Sequence, residues 1–156
     1  MNFCVSMTSV PPRFSSLEKT LNSLNNQIQK PDKIFLNIPS FFHRFKNIEH
    51  DFDKLTKKFT NIIINRCNDY GPGTKLLGSL DQILKYDFVV LVDDDHIYKK
   101  QMLKIFFDLA NSSANKSYSF CVYDILDCKV GQGADGFAIN TKYLNNIKNF
   151  YYKYVK

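Results

Sequence analysis

Apolar residues follow two kinds of spacing along the chain, and the two alternate. Short apolar or β-branched runs predict strands, which we place at 2–7, 33–38, 61–65, 88–93, 118–123 and 137–139. Apolar residues three or four positions apart predict helices, which we place at about 15–29, 74–86, 99–110 and 143–154. This alternation of strand and helix predicts an α/β fold with a mainly parallel central sheet flanked by helices.

Prolines, glycines and serines divide these elements. Pro11 and Pro12 predict a non-helical loop at 8–14, and Ser15 or Ser16 is placed to cap the first helix. The run 71–73 (Gly-Pro-Gly) predicts a turn ahead of the helix that starts at Thr74. No internal repeat or low-complexity tract interrupts the pattern, so we expect one domain spanning 1–156.

The run 87–96 (DFVVLVDDDH) carries the strongest chemical signal in the chain. A strand buried on both faces ends abruptly in Asp93, Asp94 and Asp95. Ligands of open α/β sheets bind at that carboxyl edge. Adjacent acids repel one another unless a cation lies among them, and oxygen ligands suit Mg²⁺ or Mn²⁺. The run predicts a metal-dependent enzyme with a phosphate-bearing substrate.

The charge changes this picture little. The net charge is +6, but acids interrupt the lysines through most of the chain, so an anionic small molecule explains the excess as well as nucleic acid does. We expect no nucleic-acid partner. The exception is the tail, where no acid follows Asp135 and lysines accumulate at Lys142, Lys148, Lys153 and Lys156. The tail helix is expected to pack on the sheet, with contact to an anionic membrane surface or a partner as the alternative.

The chain lacks an apolar run long enough to cross a bilayer, and Pro11, Pro12 and Arg13 interrupt any signal peptide. We therefore expect a soluble, cytoplasmic protein. The cysteines Cys4, Cys67, Cys121 and Cys128 form no CxxC pair, which favours reduced, buried thiols over a zinc site.

Three segments together resemble the GT-A glycosyltransferases, particularly the family-2-like enzymes: the acidic strand end, the loop TSVPPR after the first strand, and the helix start GPGTKLLGSLD. The resemblance covers about 2–140. It implies that the first loop holds the nucleotide of a sugar donor through Thr8, Ser9, Pro11 and Arg13. A loop merely stiffened by prolines stays open as the alternative.

The helix start matches the family through Gly71, Gly73, Lys75 and Gly78. The resemblance implies a diphosphate at Lys75, and free N–H groups at a helix N-terminus suit such an anion. A lysine in the first turn opposes the helix dipole, so local stability does not explain it, although a solvated lysine stays open. Asp69 could accept hydrogen bonds from the base, or simply form the turn.

In the acidic run, Asp93 and Asp95 match the outer positions of a DxD motif. The resemblance implies that one contacts the ribose and the other ligates Mn²⁺ or Mg²⁺. We assign Asp95 to the metal. Asp93 is assigned to the ribose side and also to the metal, and Asp94 is a further candidate. The ion would neutralise charge on the departing nucleoside diphosphate. His96 could contact metal or substrate, or neither.

The acceptor side departs from the family pattern. Asp135 lies between glycines before a predicted strand, where it could serve as catalytic base or as a turn residue. No acid follows it, and no histidine follows His96. GT-A domains are generally longer than 156 residues. The resemblance therefore implies a minimal or truncated acceptor side.

The leading prediction is a glycosyltransferase that moves a sugar from a UDP- or GDP-linked donor to a hydroxyl of a glycan or other acceptor. Inversion at the anomeric carbon would follow if Asp135 is the base. A nucleotidyltransferase would need a glycine-rich first loop, and TSVPPRF contains no glycine. A non-catalytic module that binds a polyanion or a membrane surface is the alternative from another class.

Overall fold

The computed structural model describes residues 1–46, 50–113 and 115–155. Eight strands are described: β1 (Phe3–Thr8), β2 (Lys33–Pro39), β3 (Ile62–Cys67), β4 (Phe88–Leu91), β5 (Tyr118–Ser119), β6 (Val122–Ile125), β7 (Cys128–Gly131) and β8 (Phe137–Asn140). Six of them form one sheet in the order β3-β2-β1-β4-β8-β5, while β6 and β7 form a separate hairpin. The predicted α/β fold with a central sheet is confirmed.

Strands β3, β2, β1 and β4 run parallel, and β8 joins β4 antiparallel. The chain moves from β1 outward through β2 to β3 and then returns to β4 on the other side of β1. The connections that leave β1 and β4 therefore diverge at the carboxyl ends of these strands. Such a switch of direction opens the crevice in which α/β sheets bind ligands.

Helices cover both faces of the sheet. They are α1 (Leu17–Asn25), α2 (Asp53–Lys58), α3 (Thr74–Leu77), α4 (Leu80–Ile83), α5 (Met102–Ser112) and α6 (Ile147–Tyr154). The first two and α5 contribute to one apolar cluster, while α3, α4 and α6 contribute to a second. Each buried leucine of α1 contributes about 1.5–3 kcal/mol by leaving water. These three leucines are Leu17, Leu21 and Leu24.

The first helix differs from its prediction at both ends. It ends at Asn25, so Ile28, which falls within the helix predicted at 15–29, lies outside the helix and is 66% exposed. Ser16 precedes the helix but donates to the carbonyl of Arg13 instead of capping. The loop predicted to be non-helical contains a 3₁₀ helix, Pro11–Ser16. Its prolines occupy the first turn, where a missing N–H costs no hydrogen bond.

The helix predicted at 74–86 is divided into α3 and α4 at Gly78 and Ser79. A Cβ on Gly78 would lie 2.9 Å from the side chain of Asn37, so only glycine allows this close approach to β2. The strand predicted at 118–123 is likewise divided, between β5 and β6. The hairpin turn at Leu126 and Asp127, both with positive φ, has no counterpart in the predictions.

Burial of the cysteines differs from expectation. Cys4 is buried, which raises the pKa of its thiol. Cys67 is half-buried, and desolvation raises its pKa to about 11. Cys128, however, is exposed on β7, so the prediction of buried thiols is wrong there. Among the helices described, none combines the length and apolarity needed to cross a bilayer.

Candidate functional site

A cavity of about 610 Å³ opens at the carboxyl ends of the parallel strands. Seven residues predicted from the sequence to bind a nucleotide line it: Thr8, Ser9, Arg13, Asp69, Lys75, Asp93 and Asp94. Pro11 is instead buried in the 3₁₀ helix, while Asp95 and Asp135 lie outside the lining. The fold therefore gathers the end of β1, the start of α3 and the end of β4 around one space.

Asp94 joins the first loop to the acidic run. Its side chain is 5% exposed, and its two carboxylate oxygens accept from Ser9 Oγ at 2.6 Å and Arg13 Nη1 at 2.8 Å. Its backbone carbonyl accepts from Thr20 Oγ1 of α1 at 2.8 Å. The hydrogen bond and the charge of Asp94 raise the pKa of Arg13. The middle aspartate thus has a structural role that the sequence analysis did not assign.

Asp93 forms an ion pair with Lys75, and both side chains are partly buried. Ser6 Oγ donates to the carbonyl of Lys75 at 2.5 Å, and Asn37 Nδ2 donates to Ser6 Oγ at 3.0 Å. Asn65 Nδ2 donates to the carbonyl of Gly78 at 2.6 Å. These hydrogen bonds from β1, β2 and β3 satisfy the carbonyls at the break after α3 and fix the backbone that carries Lys75.

Asp95, His96 and Asp135 lie in a row at the outer edge of the site. The Asp95 carboxylate lies 3.3 Å from Arg13 Nη1 and 3.7 Å from His96 Nδ1, and His96 Nε2 lies 3.7 Å from Asp135 Oδ1. All three are about half exposed or more. The imidazole therefore lies between two carboxylates whose positions in the sequence are 40 residues apart.

Tyr98 connects the acidic run to the loop that carries Asp135. Its hydroxyl accepts from the backbone N–H of Asp93 at 2.8 Å and donates to the carbonyl of Ala134 at 3.0 Å. Burial raises the pKa of Tyr98, so the hydroxyl keeps its proton and remains a donor. Tyr98 was not among the residues predicted from the sequence, although it lies only five positions after Asp93.

Asp69 and Thr8, both predicted to contact the nucleotide, form hydrogen bonds within the protein. The carboxylate of Asp69 accepts from the backbone N–H groups of Gly71 at 2.8 Å and His43 at 2.9 Å, which is the behaviour of a turn former. Thr8 Oγ1 donates to the carbonyl of Asn37 at 2.8 Å. Both residues still line the cavity. Contact with a ligand and support of the fold are therefore compatible roles for each of these two residues.

The acidic run can be tested for its fit to a divalent cation. Among the described residues, no three histidine, cysteine or acidic side chains converge as a metal cage. Arg13 and Lys75 also supply positive charge that the sequence analysis attributed to an ion. However, Mg²⁺ sites commonly use one or two carboxylates together with substrate phosphates. Asp95, 47% exposed, and Asp93 at the cavity wall fit an ion shared with such a ligand.

Helix α6 forms part of the cavity wall, which the sequence analysis did not foresee. Tyr151 and Val155 line the cavity. The Tyr151 ring packs edge-on against Tyr70, with ring centroids 5.5 Å apart. Tyr70 directly precedes the Gly71 turn that leads to Lys75. Tyr151, near the end of the described chain, therefore supports the segment that precedes α3.

Comparison with solved structures shows a GT-A-like fold. The structure of Staphylococcus aureus TarS 1–349 in complex with UDP-GlcNAc matches with a TM-score of 0.68 and 17% identity, over 95% of this chain and 48% of that one. The mannosyltransferase PcManGT from Pyrobaculum calidifontis, in complex with GDP-Man and Mn²⁺, matches with a TM-score of 0.66 and 12% identity, over 94% and 46%.

The chain thus spans about half the length of these two structures. A third match is 4-diphosphocytidyl-2C-methyl-D-erythritol synthase from Anaerococcus prevotii, with a TM-score of 0.58 and 16% identity, over 99% of this chain and 77% of that one. No family model matches the sequence. No curated protein matches it either. At these identities the likeness establishes the fold alone.

Proposed function

We propose that residues 1–156 belong to a glycosyltransferase domain that uses a nucleoside-diphosphate sugar as donor. The observation that carries the proposal is the cavity at the strand ends, whose lining includes the carboxylates of Asp93 and Asp94 and the cations of Arg13 and Lys75. A diphosphate needs cations near its oxygens, and a ribose needs an acceptor for its hydroxyls. Support also comes from the two glycosyltransferase structures that share the fold, with UDP-GlcNAc and with GDP-Man.

In this proposal the β1 loop and α3 bind the donor. Lys75 would leave Asp93 and bind the diphosphate, because a phosphate dianion competes well for an ammonium group. Asp93 would then be free to accept from the ribose. Ser9 and Arg13 would keep Asp94 in place, so that the acidic run has a fixed shape when the donor enters.

Asp95 and Asp93 would hold Mn²⁺ or Mg²⁺ together with the donor's phosphates. When bound, the ion would neutralise the charge that develops on the departing nucleoside diphosphate. The PcManGT structure is of a complex with GDP-Man and Mn²⁺. That supports the choice of ion.

Asp135 would accept the proton of the acceptor hydroxyl, which would give inversion at the anomeric carbon. His96, 3.7 Å away, would orient that carboxylate. The exposure of both side chains leaves room for an acceptor glycan or another hydroxyl compound at the outer edge.

A nucleotidyltransferase is the second candidate, because the match to the synthase covers 77% of that chain. The two reactions release different products. Glycosyl transfer releases a nucleoside diphosphate from the sugar nucleotide, whereas nucleotidyl transfer releases pyrophosphate from a nucleoside triphosphate. A coupled assay for each product, run on a panel of sugar nucleotides and nucleoside triphosphates with acceptor sugars, tests the proposal. Pyrophosphate as the only product would contradict it.

Replacing Asp95 with asparagine is expected to abolish the metal-dependent gain in donor affinity, because a neutral amide is a poor ligand for Mn²⁺. Calorimetric titration of UDP- and GDP-sugars, with and without Mn²⁺, measures this gain. Binding without metal should stay unchanged, since Asp95 lies outside the cavity lining. The matched control is Asp127→Asn on the exposed hairpin turn. An Asp95→Asn protein that responds to Mn²⁺ like the wild type would contradict the metal assignment.

Replacing Tyr151 with alanine is expected to weaken donor binding by about tenfold, through loss of an aromatic contact worth roughly 0.5–1.5 kcal/mol and of support for the Gly71 turn. Tyr151→Phe keeps the ring against Tyr70 and should bind nearly as well as the wild type. Titration of both variants with the same donor gives the comparison. Equal affinities for the alanine and phenylalanine variants would mean that the ring does not support the site.

A further inference from the structure

We propose that α6 docks the protein onto the surface of an anionic membrane. Of the two alternatives for the tail, packing on the sheet accounts for only one side of the helix. Ile147 and Tyr151 are partly buried against the second apolar cluster. Phe150 and Tyr154, by contrast, are 56% and 63% exposed, and their rings pack against each other with centroids 4.8 Å apart. An exposed aromatic stripe beside a buried one needs its own explanation.

The charge of the chain segment that carries this stripe has one sign. No acid occurs between 136 and 155, while Lys142, Lys148 and Lys153 are all exposed. Lys153 Nζ lies 4.9 Å from the centroid of the Tyr154 ring, so cation and aromatic form one surface. Lysines at a membrane surface are attracted to anionic headgroups, and tyrosine and phenylalanine bury their rings at the headgroup boundary.

This composition favours a lipid surface over nucleic acid. The exposed groups include Val155, an aliphatic side chain with no face for base stacking. The Phe150 and Tyr154 rings are tilted against each other by 44° instead of presenting parallel platforms. Because Tyr151 and Val155 also line the cavity, docking through α6 would bring the cavity close to the bilayer.

Vesicle flotation of the full chain tests the inference without any sugar donor, so the result is independent of the proposed activity. Vesicles of phosphatidylcholine alone are compared with vesicles that contain about 30% phosphatidylserine. Binding is expected only to the anionic vesicles and should fall when salt rises from about 0.05 M to about 0.5 M. The paired change Lys148→Gln and Lys153→Gln should lower partitioning by at least about fivefold, the typical value for one lysine near such a surface, because Lys153 lies beside the stripe and Lys148 lies on the other side of the helix.

Each double substitution in the tail has a control in which two residues of similar type are changed elsewhere on the surface. Lys54→Gln with Lys57→Gln removes the same charge from exposed positions of α2, and it should bind like the wild type. Phe150→Ser with Tyr154→Ser should reduce binding, whereas Ile125→Ser with Leu126→Ser on the exposed hairpin should not. Circular dichroism confirms that each variant is folded.

Several results would overturn the inference. They are absence of binding to anionic vesicles, equal loss in the α2 variant, and binding to single-stranded RNA without binding to vesicles. A dimer in size-exclusion chromatography that disappears in the Phe150→Ser, Tyr154→Ser protein would also overturn it, because the stripe would then face a second copy of the chain.

Discussion

A Lys75→Gln protein is expected to bind its nucleoside diphosphate about 30–100-fold more weakly than the wild type while remaining folded. Lys75 lies at the cavity wall in the first turn of α3, with a largely buried side chain. Truncating one member of a buried, hydrogen-bonded charge pair costs roughly 2–3 kcal/mol or more of binding free energy. Glutamine keeps most of the volume and removes only the charge.

Comparing a nucleoside diphosphate with the corresponding nucleoside identifies which part of the donor Lys75 contacts. Calorimetric titration should show a large loss for UDP or GDP, whichever binds, and little loss for the corresponding nucleoside, because only the diphosphate would meet the ammonium group. Lys85→Gln is the matched control, since Lys85 is exposed beyond α4 and away from the cavity. An equal loss for the nucleoside and the nucleotide would mean that Lys75 shapes the cavity instead of binding phosphate.

The free energy of unfolding further distinguishes a Lys75 that binds phosphate from a Lys75 that supports the fold. Among the residues that the structure describes, Lys75 pairs with Asp93 alone, and the Asp93 side chain is about one-third exposed and can be hydrated when the lysine is gone. We therefore expect Lys75→Gln to change the free energy of unfolding by less than about 1 kcal/mol. A large destabilisation would instead place Lys75 among the residues that hold α3 on the sheet.

Local patterns were sufficient to predict the architecture. The apolar runs that became β1, β2, β3 and β4 are short and contain β-branched residues, so their spacing indicates strands directly. Once the strands were assigned as parallel, their carboxyl ends had to lie at one edge. For that reason seven of the predicted site residues could be placed near one another from the sequence alone.

The errors occurred where distant contacts override local patterns. The helix expected at 74–86 is interrupted because Gly78 packs against Asn37, which lies 41 positions earlier in the chain. The sequence did contain a signal for this network. Ser6, Asn37 and Asn65 are polar residues inside apolar strands, and buried polar groups require partners.

The role of Asp94 could not be predicted from the strand pattern. Both faces of β4 are buried, since Val89 and Val90 are each fully covered, so alternation does not separate an inward from an outward side chain. Asp94 also lies in the turn that follows β4, where the alternation of an extended strand no longer applies. Its partner could not be predicted, because Arg13 is separated from Asp94 by 81 positions and the pair exists only after β1 and β4 align.

Replacing Asp94 with alanine is expected to lower the free energy of unfolding by about 2–3 kcal/mol. The change removes a buried carboxylate that accepts from Ser9 and Arg13, and hydrogen bonds to charged groups contribute roughly 1.5–3 kcal/mol. The estimate is kept low because Arg13 is about half exposed and can be hydrated after the change. Urea unfolding followed by circular dichroism measures the loss.

Asp95→Ala is the matched control, since it removes the neighbouring carboxylate at a site 47% exposed and should cost less than about 1 kcal/mol. The Ser9→Ala change should be destabilising in the wild type and nearly neutral in the Asp94→Ala protein, because its acceptor is already gone. Both results should persist in a chelator, as Arg13 and not a metal neutralises Asp94 in this arrangement. Equal losses for Asp94→Ala and Asp95→Ala, or a loss that appears only when metal is present, would contradict the role assigned to the middle aspartate.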